Sequence, residues 1–345
     1  MAYTTINKST DYFNTKLYTG NGGTQSITGV GFQPDMVWTK QRNAVRNHVL
    51  FDAVRGATKG VKPNESQAEF TWTNSVTSFD TNGFSVGGAG EVNYSSGSMA
   101  SWNWKANGQG SSNTVGTINT IYTSANTTAG FSIVSYSGNS VAGATVGHGL
   151  GVAPKVIMIK QLTGATNWTV YHASLGSHAK YLYLDASNAV ATDSGNFDNV
   201  PNANTFLLGS NNQVNAASGS KYIAYCFAEK QGYSKFGSYT GNGSADGPFI
   251  YTGFKPAFVM TKNTSGTNNW TMCDNKRNTF NAVDKVLNPN VSTAEATNNP
   301  QDFVSNGFKN RATESNTNSS GSTYIYMAFA EAPLVGTNNT PATAR

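Results

Sequence analysis

The sequence predicts an all-β fold made of three tandem antiparallel β-sandwich modules of jelly-roll or lectin-like character. A motif that occurs three times and a composition typical of short strands and tight turns both support this prediction. The chain has 345 residues, among them 36 glycines, and 12% of its residues are aromatic. Glycine tolerates the positive φ of tight turns, and frequent aromatic residues argue against disorder.

The repeated motif consists of a small residue, a proline, a hydrophobic run and a lysine: GFQPDMVWTK (31–40), GVAPKVIMIK (151–160) and GFKPAFVMTK (253–262). The proline and the lysine of each copy are Pro34 and Lys40, Pro154 and Lys160, and Pro256 and Lys262. An asparagine follows each lysine at the same distance: Asn47, Asn167 and Asn269. A polar residue then ends the next hydrophobic segment: Asp52, His172 and Asp274. A shared register over this distance indicates three copies of one unit.

The register divides the chain into a first module (1–115), a second module (116–230), a third module (231–333) and an extended C-terminal tail (334–345). Runs such as KVIMI and YIAYCF, rich in β-branched and aromatic residues, predict strands buried against another sheet. The stretch 107–130 is rich in Gly, Ser, Thr and Asn, which predicts a linker with one strand in TINTIYT. AVDKVL (282–287) is the best candidate for a short helix.

Composition excludes several function classes. The net charge of +5 is small, and the basic residues are scattered, so no nucleic-acid binding is predicted. No apolar run approaches the length of a membrane span, so no membrane insertion is predicted, and the N-terminus lacks the apolar core of a secretory signal. Cys226 and Cys273 are expected to be free thiols of a protein made in a reducing cytoplasm.

Catalytic patterns are weak, and the sequence predicts no enzyme, no catalytic residue, no metal and no cofactor. None of the four histidines lies in a nucleophile elbow. A polysaccharide hydrolase needs two carboxylates across a groove, and no spacing pairs the acidic residues of the second module. These residues are Asp185, Asp193, Asp198 and Glu229.

YTGNGG, GVGFQPDMVWTK, LFDAVRG, VTSFDTNGFSVG and WNWKAN together resemble a repeat domain of phage tail, fibre and other virion structural proteins, common in marine and cyanobacterial phages. The first copy matches that pattern at Pro34, Asp35, Lys40, Asp52, Arg55, Gly56, Asn82, Gly83 and Phe84. The third copy keeps Pro256, Lys262, Asp274, Arg277, Gly307 and Phe308. The second copy departs from it, with His172 in place of the aspartate and no matching arginine.

The resemblance implies a non-enzymatic bacteriophage structural protein, associated with the tail or its fibres and contributing to host adhesion. A capsid decoration or cement protein is the first alternative, and a lectin-like enzyme that degrades polysaccharide is the second. The expected partners are other virion proteins, further copies of the chain (a trimer by analogy with virion appendages) and a host surface glycan. The expected location is the virion, assembled in the host cytoplasm.

Two groups of residues are candidate sites. Asp52 with Arg55, and Asp274 with Arg277, either fix a loop by charge-assisted hydrogen bonds or hold a sugar hydroxyl. Trp168 and Trp270 either stack on a pyranose ring, beside Asn167 and Asn269, or belong to the core.

Overall fold

The computed structural model describes residues 3–217 and 219–336, and it confirms the all-β prediction. Adjacent strands pair antiparallel in six sheets. Within the described residues the helices are single turns, α1 (Gly90–Asn93) and α2 (Asn212–Asn215), with 3-10 turns at Ser9–Asp11 and Ala173–Leu175. The helix prediction for 282–287 is wrong, because Val283–Val286 is a strand whose Val283 and Val286 side chains enter the core. Of the tail, residues 337–345 lie outside the described residues.

The first segment forms a six-stranded sheet in the order β1-β9-β3-β4-β5-β6 and a three-stranded sheet in the order β2-β8-β7. Its strands are β1 (Phe13–Thr19), β2 (Gln25–Thr28), β3 (Met36–Gln41), β4 (Val49–Asp52), β5 (Gly56–Val61), β6 (Phe70–Thr71), β7 (Val76–Asp80), β8 (Gly83–Val86) and β9 (Ser98–Trp104).

The second segment forms a seven-stranded sheet, β10-β11-β18-β13-β14-β15-β16, and a two-stranded sheet, β12-β17. Its strands are β10 (Tyr122–Asn126), β11 (Phe131–Ser137), β12 (Ala144–Gly147), β13 (Val156–Gln161), β14 (Thr169–His172), β15 (Lys180–Tyr183), β16 (Ala191–Thr192), β17 (Thr205–Leu208) and β18 (Lys221–Phe227). The predicted linker 107–130 therefore contributes an edge strand, β10, to this sheet.

The third segment forms two four-stranded sheets, β19-β26-β21-β22 and β20-β25-β24-β23. Its strands are β19 (Ser234–Thr240), β20 (Phe249–Tyr251), β21 (Phe254–Asn263), β22 (Thr271–Asp274), β23 (Val283–Val286), β24 (Ala296–Val304), β25 (Gly307–Asn310) and β26 (Thr323–Pro333).

The strand of the repeated motif is buried on both faces in each segment. Side chains alternate across a strand, so each motif strand serves two cores. In β3, Met36 and Trp38 enter a central cluster, whereas Val37 enters a cluster confined to the first segment. Strands β13 and β21 repeat this arrangement. A strand buried on both faces explains why the motif reads as continuously hydrophobic.

The central cluster draws on all three segments. Trp104, Phe227 and Phe329 occupy the same register in β9, β18 and β26, since they pair with Met36, Val156 and Phe258 of the motif strands. Their ring centroids lie 6.4 Å (Trp104–Phe227), 5.7 Å (Trp104–Phe329) and 6.0 Å (Phe227–Phe329) apart. Burial of one such side chain contributes roughly 1.5–3 kcal/mol. The middle of the molecule is thus an aromatic core with one ring from each repeat.

Three backbone hydrogen bonds close the repeats into a ring. Glu69 N–H donates to Leu162 O over 3.0 Å, and Val190 N–H donates to Thr264 O over 3.0 Å. Glu295 N–H donates to Arg42 O over 2.7 Å and so joins the third segment to the first. Each acceptor lies two residues after a motif lysine. The same junction therefore occurs three times, and every segment contacts both others.

Candidate functional site

The motif lysines are fully buried at the junctions between segments. Lys160 Nζ donates to Ser66 O of the first segment over 2.9 Å, and to Thr166 O over 2.8 Å. Lys262 Nζ donates to Ser187 O of the second segment over 3.1 Å, and to Asn263 O over 2.7 Å. Lys160 and Lys262 thus each tie a hairpin of their own segment to a carbonyl of the preceding one.

Burial lowers the pKa of each motif lysine to about 8: Lys40, Lys160 and Lys262. Lysines with a lowered pKa are often nucleophiles in enzymes. Here each ammonium group donates to two backbone carbonyls and its residue is 0% exposed. A solute has no route to these amines, so we assign them to the structure of the junctions.

The motif prolines are also structural. All three are buried immediately before or within the motif strand: Pro34, Pro154 and Pro256. Pro256 lies within β21 at a shift of register, where a ladder hydrogen bond is absent.

The Asp52–Arg55 pair lies at the junction of the first and second segments. Arg55 Nε donates to Asp52 Oδ2 over 2.5 Å, and the backbone N–H of Arg55 donates to Asp52 Oδ1 over 2.8 Å. The hydroxyl of Tyr225, from the second segment, donates to Asp52 Oδ2 over 2.7 Å. The Asp52 side chain is 0% exposed and that of Arg55 is 4% exposed. The pair therefore fixes its loop and a neighbouring segment together.

The junction of the third and first segments repeats this network. Arg277 Nε donates to Asp274 Oδ2 over 2.5 Å. The donor from the neighbouring segment is Trp102, whose Nε1 lies 3.0 Å from Asp274 Oδ2. Glu295 accepts from Arg277 and also forms a two-pronged ion pair with Arg42 of the first segment. Both Asp–Arg pairs are buried scaffold, and neither carboxylate is available to a sugar in this structure.

The junction of the second and third segments has no such network. His172 stands where the aspartates stand, and Leu175 stands at the arginine position. His172 Nδ1 accepts from Ser174 N–H over 3.1 Å, so Nε2 carries the proton that faces Tyr326 O at 3.1 Å. Burial lowers the pKa of His172 to about 4.

The aromatic donor is absent at this junction as well. Met327 occupies the register of Tyr225 and Trp102, as its pairing with Met260 of the motif strand shows. An apolar internal gap of about 10 Å³ lies beside Met327 and His172. The second–third junction therefore has neither the charged acceptor nor the aromatic donor of the other two.

Trp168 and Trp270 are core residues, 0% and 3% exposed. Trp168 Nε1 donates to Lys62 O over 2.9 Å, and Trp270 Nε1 donates to Tyr183 O over 2.8 Å. Each indole bonds to the preceding segment, and its ring packs in the central cluster. Stacking on a pyranose ring needs an exposed indole face, and these two positions offer none.

Asn167 and Asn269 are half-buried and lock their hairpins. Asp185 accepts from Trp168 N–H over 3.0 Å and from Asn167 Nδ2 over 3.2 Å. In the third segment Asn290 accepts from Trp270 N–H over 3.0 Å and donates to Asn269 over 2.8 Å. The motif asparagines are thus held by a second polar side chain in the same segment.

Of the predicted site residues, Asn167 lines a surface cleft. This polar cleft of about 350 Å³ lies where the first and second segments meet. Its carboxylates are Glu65, which is paired with Lys62 at 2.9 Å, and Asp185. Burial raises the pKa of Asp185, although three hydrogen bonds and Lys160 oppose that shift.

The partners from neighbouring segments were missed in the sequence. Tyr225 and Trp102 lie 173 and 172 residues from the carboxylates that they contact. A signal was present: each residue follows the glycine of a Ser-Gly-Ser tripeptide, Trp102 by five residues and Tyr225 by six, and each carries a donor on an aromatic ring. The sequence alone does not show which repeat receives that donor.

In the part of the chain that the structure describes, no three His, Cys, Asp or Glu side chains are grouped to hold a metal ion. No helix among these residues has the length and apolar character of a membrane span. Cys226 and Cys273 are buried free thiols, and burial raises the pKa of both.

Among the known proteins and protein families that were compared with the chain, one family model matches it. No curated protein and no solved structure matches the chain. One family model matches residues 8–333, a range that takes in all three repeats. The chain therefore belongs to the family described as domain of unknown function DUF7483.

Proposed function

We propose that the chain is a non-enzymatic structural protein of a bacteriophage virion, associated with the tail or its fibres and contributing to adhesion to the host surface. In this proposal each segment is a jelly-roll or lectin-like β-sandwich module. The resemblance of the repeat motifs to phage structural repeats supports the proposal. The position of the motif residues at the junctions between repeats supports it as well.

The observation that carries the proposal is that most motif residues join one repeat to another. The lysines, the Asp–Arg pairs and the tryptophans are buried, and most of them contact a neighbouring segment. A signature used in this way maintains a rigid scaffold, while the polar loops outside it remain free to differ. Such a division suits a virion component that presents surface loops to host glycans.

The proposed partners are other virion proteins, further copies of the chain and host glycans. Three repeats in one chain, multiplied by the copies in a trimer, would raise weak single contacts through avidity. Light scattering of the purified protein tests the trimer. A mass equal to one chain at high concentration would remove it from the proposal.

Immunogold labelling of intact particles, with an antibody raised against residues 131–332, tests the proposal directly. Gold at the tail or its fibres is the expected result. Gold spread over the head would instead assign the chain to capsid decoration, and salt should then release it and leave fragile heads. Particles without gold would overturn a virion role.

The cleft that holds Glu65 and Asp185 favours one other candidate, a polysaccharide-degrading enzyme, because glycoside hydrolysis uses two carboxylates and one must keep a raised pKa. Both Asp185 oxygens already accept hydrogen bonds from their own hairpin. Prolonged incubation of host capsule with the wild type and Glu65→Gln decides the matter. Thinning by the wild type alone would support the enzyme.

A further inference from the structure

A second polar cavity, about 340 Å³ in volume, opens on the second segment away from the junction cleft. Two tyrosines of β15, Tyr181 and Tyr183, line one side, and Asp193, Asn211 and Gln213 are among the residues that line the rest. Sites for small molecules have volumes of about 300–1,000 Å³. The cavity is therefore large enough for a ligand, and no feature of the repeat motif accounts for it.

The side chains of this cavity are linked to each other. The hydroxyls of Tyr181 and Tyr183 lie 3.3 Å apart, and their rings meet edge to face with centroids 5.3 Å apart. Gln213 Nε2 donates to the Tyr183 hydroxyl over 3.0 Å. A fixed wall of two hydroxyls and an amide is pre-organised, so a ligand would not have to order these groups.

Asp193 is exposed and held in place on the other side. Its Oδ1 accepts from Gly195 N–H over 2.8 Å, and its Oδ2 accepts from Asn211 Nδ2 over 2.8 Å. These hydrogen bonds lower the pKa of Asp193, so the carboxylate remains charged at neutral pH. Each oxygen keeps a second lone pair for a ligand hydroxyl.

The first segment has no equivalent of this cavity. Strand pairing places Gly60 at the position of Tyr181, and Trp72 at the position of Asp193. There Phe70 fills the space above Gly60 and meets Trp72 edge to face at 5.7 Å. Of these two segments, only the second has the polar cavity. In the first, the two aromatic rings form an apolar cover in its place.

We propose that this cavity binds one neutral sugar unit of a host surface glycan, with Asp193 accepting from vicinal hydroxyls and Gln213, Asn211 and the tyrosine hydroxyls completing the contacts. The inference rests on the proposed adhesion role. Several donors and acceptors around one small volume suit a polyhydroxylated ligand. The residues that line the cavity include one carboxylate and no lysine or arginine, which disfavours an anionic sugar.

The charge and the chemistry of the lining also argue for binding without cleavage. Hydrolysis of a glycosidic bond uses a pair of carboxyl groups, and Asp193 is the single one among the lining residues. A quaternary ammonium ligand would favour an aromatic cage with few hydrogen-bonding groups, whereas amide side chains dominate this wall. A neutral sugar that is bound without being cleaved agrees with both the single carboxylate and the amide-rich wall.

The test uses saturation-transfer NMR on the full chain with glucose, galactose, mannose and N-acetylglucosamine as probes, and with sialic acid and choline as charged probes. At least one neutral sugar should give a signal that is lost, or weakened tenfold or more, in Asp193→Ala and in Gln213→Ala. Asp198→Ala, an exposed aspartate of the same segment, is the matched control and should bind like the wild type. Near-UV circular dichroism establishes that each variant is folded.

No signal from any neutral sugar, binding that survives both variants, or preference for sialic acid or choline would overturn the inference. Labelled tails with no sugar signal would overturn the cavity assignment and leave the virion role intact. Sugar binding that depends on Asp193, together with unlabelled particles, would overturn the virion role and keep the cavity.

Discussion

The junctions between the three repeats are built in two ways. The first–second and third–first junctions each bury an Asp–Arg pair that receives a donor from the neighbouring repeat, Tyr225 or Trp102. The second–third junction buries a neutral histidine, His172, opposite a methionine, Met327. All three keep the same backbone hydrogen bond and the same lysine position. The ring therefore closes through backbone and apolar contacts, and the ionic network is an addition that one junction lacks.

The largest difference between the junctions is expected when the central acceptor is removed. Asp274→Ala leaves Arg277 and the Trp102 N–H buried without their partner, which should cost about 3–5 kcal/mol of unfolding free energy. His172→Ala removes a neutral group and should cost about 1–3 kcal/mol. Urea titration measures both.

Asp246→Ala is the control for these variants, because the Asp246 side chain is 81% exposed and solvent screens its ion pairs, so its removal should change stability little. If Asp274→Ala and His172→Ala lowered the unfolding free energy equally, the charged junction would depend on its acceptor no more than the uncharged junction depends on its histidine.

Acid should affect the second–third junction through its histidine. The pKa of His172 is about 4 in the fold, below the ordinary value of 6.5. Between these values the unfolded chain binds a proton that the folded chain does not, so stability present above pH 6.5 is lost as the pH falls. The loss should reach roughly 3 kcal/mol near pH 4.

His172→Gln keeps a donor for Tyr326 O and cannot titrate. The difference in unfolding free energy between the wild type and this variant, measured from pH 7 to pH 4, isolates the histidine. Parallel curves for the two proteins would exclude His172 as a source of acid sensitivity.

The hydrogen-bond donor of one charged junction can be removed by deleting a single oxygen atom. Tyr225→Phe deletes the hydroxyl that donates to Asp52 over 2.7 Å, and a hydrogen bond to a charged group is worth about 1.5–3 kcal/mol. Tyr94→Phe, at a tyrosine that is 47% exposed, should change stability by less than about 0.5 kcal/mol. Thermal and urea unfolding of the two variants measure the contrast, and equal stability would mean that the hydroxyl contributes nothing.

The smallest expected effect comes from building a charged pair into the uncharged junction. His172→Asp and Leu175→Arg each bury an unpaired charge, whereas together they reproduce the Asp–Arg spacing of the other two repeats. The double variant should be more stable than the sum of the single variants by about 1 kcal/mol. A double-mutant cycle in urea gives this coupling directly, and a coupling of zero would show that the second segment cannot place the pair.

Much of the local structure was predictable, because local chemistry determines it. The proline, the hydrophobic run and the lysine predicted the buried strands β3, β13 and β21. AVDKVL was misread, because spaced valines also suit an edge strand whose alternate side chains enter the core.

What could not be predicted depends on contacts across the ring. The sequence shows that Asp52 and Arg55 lie three residues apart, but it does not show that Tyr225 of another repeat completes the pair. Trp168 and Trp270 were ambiguous for the same reason, since the carbonyls that receive their N–H groups belong to the preceding segment. The cavity at Tyr181 and Asp193 was equally hidden, because strand β15, the segment after β16 and the turn at α2 are separated along the chain and meet only in the fold.

Closure of the ring within one polypeptide has a consequence for how the protein can change. In a ring of three identical subunits, each substitution occurs at all three junctions at once. Here each junction is encoded separately, so one can give up its ion pair while two retain theirs, and one repeat can open a polar cavity that Phe70 and Trp72 close in another. Dilution cannot separate the three parts, and so a weakened junction is never lost to dissociation. The single chain can therefore change one junction alone, whereas a homotrimer would have to change all three.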